Sequence, residues 1–292
     1  MSHALSTVAV LGAGTMGRGI AQVAALGGFT TRLYDIEEGV LADARATIER
    51  QLRRGVELGK VDAAAAEAAL GRLSTHAALA AAVERADLVI EAAPESFALK
   101  VEIFRAAALH APERALFASN TSALSITELA GASGRAERFA GMHFFNPVHV
   151  MKLVELVRGL ETSDATVAAL RHAAERMGKE TVVVADVPGF ATSRINALIG
   201  NEAFRMLEQG VASAEDIDKA VKLGLNHPMG PFEMADLVGL DVRLAILEHL
   251  HATLGETFRP TNLMRRYVAA GRFGRKSGRG VYLYDEHGKR TG

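Results

Sequence analysis

The chain has 292 residues, 49% of them hydrophobic and 23% charged, which is enough for two domains of ordinary globular composition. Its 33 basic and 34 acidic side chains leave a net charge of -1, so neither nucleic acid nor an anionic membrane is expected as a partner. It has no cysteine, which excludes disulfides, thiolate metal sites and a cysteine nucleophile, and no metal site is expected.

Met1-Ser2-His3-Ala4-Leu5 carries no basic segment followed by an apolar one, and no apolar run reaches the ~18 residues of a membrane span. A cytoplasmic protein is therefore expected. Thr7 to Leu11 is apolar throughout, as a strand buried on both faces should be. Glycines follow, then a helix of small residues from Thr15 to Leu26, and Thr30 to Tyr34 reads as a second strand. Residues 39–79, rich in Ala, Leu, Glu and Arg, predict a helical hairpin broken near Gly55 to Gly59. Further strands are expected at 87–90, 115–118, 139–144, 153–157 and 181–184, with a helix over 99–110. This alternation implies a parallel sheet with helices on both faces.

Past Asp186-Val187-Pro188-Gly189-Phe190 the chain reads as helical almost to its end. Helices are expected over 194–209, from a cap at Ser213, and over 237–254, with a non-helical turn at His227 to Pro231. The expected domains are 1–186, a Rossmann-type doubly wound parallel sheet with the inserted hairpin, and 187–292, all helical.

Gly12-Ala13-Gly14-Thr15-Met16-Gly17 is Gly-x-Gly-x-x-Gly directly after a buried strand and opening a helix, the context that a dinucleotide site requires. Gly12 permits the turn, Gly14 the approach of a pyrophosphate, and Gly17 close helix–strand packing. Amides around Thr15 and Met16 then face the phosphates at the positive end of the helix. Asp35, ~20 residues on at the end of the second strand, suits the adenosine ribose and repels a 2′-phosphate, so NAD is favoured over NADP. Glu155 lies among apolar residues in Lys152-Leu153-Val154-Glu155-Leu156-Val157 and needs a donor or cationic partner. His143, at the end of the preceding strand, is the candidate; by itself a histidine there is more often structural.

Ser119-Asn120-Thr121-Ser122, His143-Phe144-Phe145-Asn146-Pro147, Lys152-Leu153-Val154-Glu155 and Asp186-Val187-Pro188-Gly189-Phe190 together resemble the 3-hydroxyacyl-CoA dehydrogenase family, and within it the bacterial 3-hydroxybutyryl-CoA dehydrogenases. The resemblance runs from the glycine turn to Gly280-Val281-Tyr282. It implies reversible, NAD-dependent oxidation of an (S)-3-hydroxyacyl-CoA, with His143 as general base, Glu155 orienting it, and Ser122 contacting the substrate. It further implies that Asn120 and Asn146 lie near the nicotinamide, that Glu95 and Lys100 contact its ribose, and that Lys276 reaches back to the cofactor. Read without the family, Glu95 and Lys100 are helix-start charges with the lysine in solvent, Lys276 is a basic loop, and Ser122 is a helix cap. Ser193 departs from the family pattern, which commonly has asparagine there as a substrate contact, and this puts the substrate's identity in question. Arg50, Arg53, Arg54 and Lys60 are candidates for the CoA phosphates, and a homodimer through residues beyond 187 is the family's usual assembly. Two other functions remain: a dehydrogenase of a free hydroxy acid such as gulonate or carnitine, and a non-catalytic NAD-binding structural protein.

Overall fold

The computed structural model describes residues 5–291, which divide into a compact unit ending at Val187 and another starting at Pro188. The first contains β1 (Thr7–Leu11), α1 (Thr15–Leu26), β2 (Thr30–Tyr34), α2 (Glu38–Glu57), α3 (Ala63–Arg72), β3 (Leu73–His76), α4 (Leu79–Val83), β4 (Leu88–Glu91), α5 (Phe97–His110) and β5 (Leu116–Ser119). It continues with α6 (Ile126–Ser133), β6 (Phe139–Phe144), β7 (Leu153–Arg158), α7 (Asp164–Arg176) and β8 (Glu180–Ala185). The strands form one sheet in the order β3-β2-β1-β4-β5-β6-β7-β8. The first six follow the doubly wound dinucleotide-binding order, whose direction of growth reverses between β1 and β4.

The central strands bury every residue because both sheet faces are covered. On one face Ile20 and Val23 of α1, with Leu41, Ala44, Ile48 and Leu52 along one stripe of α2, join Val8, Val10 and Leu33 in a single core. Elsewhere in the unit Phe104 packs edge-on against Phe139 and stacks on Phe117, at centroid distances of 4.7 and 5.7 Å.

Two expectations for this unit need correction. The sheet is not wholly parallel, since β6 and β7 pair antiparallel. Only residues 145–152 join them, fewer than the dozen or so that a parallel crossover needs. The 39–79 segment is also more than a hairpin of helices. It holds α2 and α3, the latter capped by Asp62, whose Oδ1 accepts from Ala65 N, but it ends in β3. That four-residue edge strand, Leu-Ser-Thr-His, has too little apolar character to announce itself, and pairing with β2 decides it.

The second unit contains α8 (Thr192–Glu208), α9 (Ala214–Gly224), α10 (Pro231–Val238), α11 (Leu240–Leu254) and α12 (Asn262–Ala269) around Phe204, Phe232 and Leu247. Ser213 caps α9 as expected. The single helix expected over 237–254 is instead two, because Gly239 adopts φ 108°, outside any helix. Nor is the tail α-helical. Beyond Ala269 it runs in turns, one 3₁₀ turn at Arg275–Ser277 and isolated bridges, held by two buried acids. Asp236 accepts from Val281 N, Tyr282 N and Tyr284 Oη; Asp218 accepts from Phe232 N, Glu233 N and Tyr282 Oη.

Candidate active site

The carboxyl ends of the parallel strands collect the functional side chains, as ligand sites in such sheets do. After β1 the chain turns at Gly12, with φ 103°, where a Cβ would lie 2.8 Å from Ala92 O. A Cβ on Gly17 would lie 1.7 Å from Gly12 O, so helix and turn pack at a distance that only glycine allows. A Cβ on Gly14 would meet no atom within 4 Å, which leaves the space over the turn open. Helix α1 starts there without a side-chain cap, so the first-turn amides, Thr15 and Met16 among them, have no capping partner. Asp35 follows β2 and accepts from Ala13 N at 2.8 Å and Glu37 N at 3.2 Å. Its carboxylate is thereby fixed against the glycine turn. These features fit a dinucleotide: an open anion cradle beside a pinned ribose acceptor.

At the ends of β4 and β5 lies a polar network that the motifs only partly disclosed. Glu95 is partly exposed; its Oε1 accepts from Thr121 Oγ1 at 2.5 Å and Ser122 N at 3.0 Å, with Ser122 Oγ at 3.4 Å. Lys100 is not in solvent, as a reading without the family expects, but 1% exposed, with Nζ 2.6 Å from Glu91 Oε1 and 3.3 Å from Glu95 Oε2. A buried ammonium requires such partners. Ser122 does not cap α6 either. Ser125 does, and Asp186 accepts from Ser125 Oγ, Ile126 N and Thr127 N beside it. Asn120 uses its Oδ1 to accept from Phe144 N at 2.9 Å, which ties the end of β5 to the end of β6.

His143 and Glu155 stand directly opposite each other in the β6–β7 pair. Because β7 runs back, a residue near its start lies at the same sheet edge as the end of β6. His143 Nδ1 is 2.7 Å from Glu155 Oε2; Glu155 is fully buried and the imidazole nearly so. A carboxylate at that distance accepts the Nδ1 proton, which leaves Nε2 as the basic nitrogen. Phe145 packs on the imidazole at a centroid distance of 4.5 Å. Asn146 follows in the exposed loop. That loop is held by Lys179, which is buried and donates to the carbonyls of Val148 and Met151; burial pushes its pKa down.

Ser193 and Lys276 belong to the helical unit. Ser193 is half-buried in the first turn of α8, and Lys276 donates to Asp241 Oδ2 at 2.7 Å. Sequence reasoning missed Glu91, Ser119, Lys179 and Asp186 as organisers of this edge. Glu91 carried a usable signal: like Glu155, it is an acid in an otherwise apolar strand. Among the described residues no group of His, Cys, Asp and Glu is arranged to hold a metal ion.

A glycine turn with an acid held against it, and an imidazole–carboxylate pair on the same edge of the same sheet, are the arrangement of a dehydrogenase that uses a nicotinamide dinucleotide. The family model for the 3-hydroxyacyl-CoA dehydrogenase NAD binding domain matches residues 7–187, and that for the C-terminal domain of the same enzymes matches residues 189–284. The chain belongs to the 3-hydroxyacyl-CoA dehydrogenase family and is an NAD-dependent oxidoreductase. It is 46% identical over 283 residues to a probable 3-hydroxybutyryl-CoA dehydrogenase of Bacillus subtilis, covering 97% of this chain and 98% of that one. It is 44% identical to the mitochondrial hydroxyacyl-coenzyme A dehydrogenase of Sus scrofa, over 95% of this chain and 90% of that one. A crystal structure of (S)-3-hydroxybutyryl-CoA dehydrogenase PaaH1 from Ralstonia eutropha superposes with a TM-score of 0.94 at 45% identity, covering 97% of this chain and 100% of that one. Among the described residues no helix is long and apolar enough to cross a membrane.

Proposed function

We propose that the protein interconverts a short (S)-3-hydroxyacyl-CoA, 3-hydroxybutyryl-CoA by preference, and its 3-oxoacyl-CoA, with His143 as general base. The observation that carries this is the 2.7 Å contact between His143 Nδ1 and the buried Glu155 carboxylate. NAD, when bound, supplies the acceptor for the hydride that leaves C3. His143 Nε2 takes the proton of the 3-hydroxyl as that hydride departs, so the C–O single bond becomes a carbonyl. Glu155 keeps the imidazole in the required tautomer and stabilises the imidazolium that forms. Ser122 donates a hydrogen bond to the substrate oxygen. In the reverse direction the imidazolium returns the proton.

The same proposal gives Gly12, Gly14, Thr15, Met16, Gly17 and Asp35 the adenosine and pyrophosphate half of NAD. Glu95, Asn120, Asn146 and Lys276 are assigned to its nicotinamide half. Lys100, whose ammonium faces Glu91, Ala93 O and Glu95, serves the ribose through Glu95. Ser193 contacts the substrate. Arg50, Arg53 and Lys60, exposed on and after α2, are candidates for the CoA phosphates, as is Arg54, which is paired with Glu57. A homodimer through the helical unit is supported by its exposed apolar side chains, with Ile195 58%, Leu223 76% and Leu225 67% exposed. Sedimentation of the purified protein at half the expected dimer mass would oppose it. Cytoplasmic residence, where NAD and acyl-CoA thioesters circulate, completes the proposal and is checked by cell fractionation.

The functional test is NADH oxidation on a panel of 3-oxoacyl-CoA thioesters beside free keto acids. Turnover is expected with acetoacetyl-CoA above longer thioesters. Activity confined to the free acids would move the protein to the hydroxy-acid reading, and no activity with either would support a non-catalytic role.

A further inference from the structure

Glu91 ends β4 between the glycine turn and the Ser119 to Ser122 loop, and no step above employs it. It is 0% exposed. Both carboxylate oxygens are engaged: Oε1 accepts from Ala93 N and Lys100 Nζ, each at 2.6 Å, and Oε2 accepts from Ser119 Oγ at 2.6 Å. Its carbonyl accepts from Asn120 N at 2.8 Å. Lys100 lies between it and Glu95, and Glu95 in turn holds Thr121 and Ser122. The contacts Ser119–Glu91–Lys100–Glu95–Thr121 thus close a ring about Asn120. From Asn120 one more bond leads to Phe144 N, next to His143.

A buried ion pair is a weak source of stability, because apolar residues of the same volume commonly serve as well. What it does supply here is direction. An ionised carboxylate accepts three donors at once and holds an ammonium against a second carboxylate. A neutral side chain of equal size cannot do both.

We propose that Glu91 is a positioning residue of the dehydrogenase: through Lys100 and Ser119 it fixes Glu95, Asn120 and Ser122, and through Asn120 the end of the strand that carries His143. This rests on the roles proposed above for His143 and Ser122. Loss of the charge at 91 leaves Lys100 with Glu95 as its carboxylate partner, which draws Glu95 away from Ser122.

The test compares wild type with Glu91→Gln and Ser119→Ala. The quantity read is the first-order rate constant for a single turnover with acetoacetyl-CoA and NADH at saturation. That constant does not depend on how much of the sample is folded, so a purely structural defect would not move it. Glu91→Gln is expected to lower it by roughly tenfold or more, with the KM for the thioester within about threefold of wild type. Ser119→Ala, which deletes the bond to Glu91 and a longer one from Thr121 N but no charge, is expected to lower it about threefold. Wild-type rate constants in both variants overturn the proposal, and so does an unchanged Ser119→Ala if Glu91→Gln fails to fold. A wild-type protein inert towards every thioester would instead defeat the functional reading, which separates the two failures.

Discussion

His143 and Glu155 are direct cross-strand partners in an antiparallel pairing of an otherwise parallel sheet, with Nδ1 and Oε2 2.7 Å apart. The reversal of β7 brings them to one edge. Twelve residues apart in sequence, they meet because residues 145–152 return the chain instead of crossing over the sheet.

Replacing His143 by alanine is expected to lower kcat by ~10²-fold or more, since a positioned base contributes ~10²–10⁴. NAD affinity, measured by NADH fluorescence, should change little. Glu155→Gln should also lower kcat, by ~10²-fold, because an amide can donate to Nδ1 and favour the wrong tautomer. Near-wild-type turnover in either variant would remove the pair from the mechanism.

Asp35 tests the cofactor. Its carboxylate accepts from the glycine turn and is the proposed ribose acceptor, and hydrogen bonds to a charged group contribute ~1.5–3 kcal/mol. Asp35→Ala should therefore weaken NAD binding by ~10- to 100-fold and narrow the preference over NADP. Titration of both cofactors into both proteins reads this directly; equal affinity for the two in the wild type contradicts the charge argument.

Ser193 stands where the family commonly has asparagine. Ser193→Asn restores a longer side chain with an amide donor, and one neutral hydrogen bond is worth ~1 kcal/mol. The expected result is a KM for acetoacetyl-CoA lowered ~3- to 10-fold at similar kcat. A raised KM would mean that the pocket is built around serine.

Stability at low pH should report on Asp87. Burial raises its pKa, but bonds from Ser6 N, Ser6 Oγ, Thr7 N and Arg114 outweigh that and hold it below the ordinary 3.8. A depressed folded-state pKa gives stability that is present above 3.8 and lost as pH falls through the folded value. Asp87→Asn should therefore lower Tm at neutral pH, and the gap to wild type should close as the pH drops below 3.8. A gap independent of pH would count against the charge as its cause.

In the helical unit the tail depends on Asp236, which is fully buried and holds Val281, Tyr282 and Tyr284. Asp236→Ala leaves those donors unmet and is expected to cost about 3 kcal/mol or more. Denaturant unfolding measures the loss, and proteolysis should cut the tail first.

The sequence by itself determined the dinucleotide half of the protein. Gly12, Gly14, Gly17 and Asp35 lie within one β–α–β stretch, where local conformational rules relate spacing to geometry, and Val8 to Leu11 of the strand before them are buried and apolar. Through motifs it also supplied the candidates for the reacting edge. What tertiary structure decided was how those residues meet. That Lys100 is buried, that Glu91 holds it, that Asn120 binds Phe144 and that Glu155 faces His143 all depend on which strand ends lie side by side. Strand order and direction arise from packing between segments far apart in the chain, and β3 exists only because β2 offers it an edge. Hydrophobic periodicity records which residues are buried, not which partner buries them.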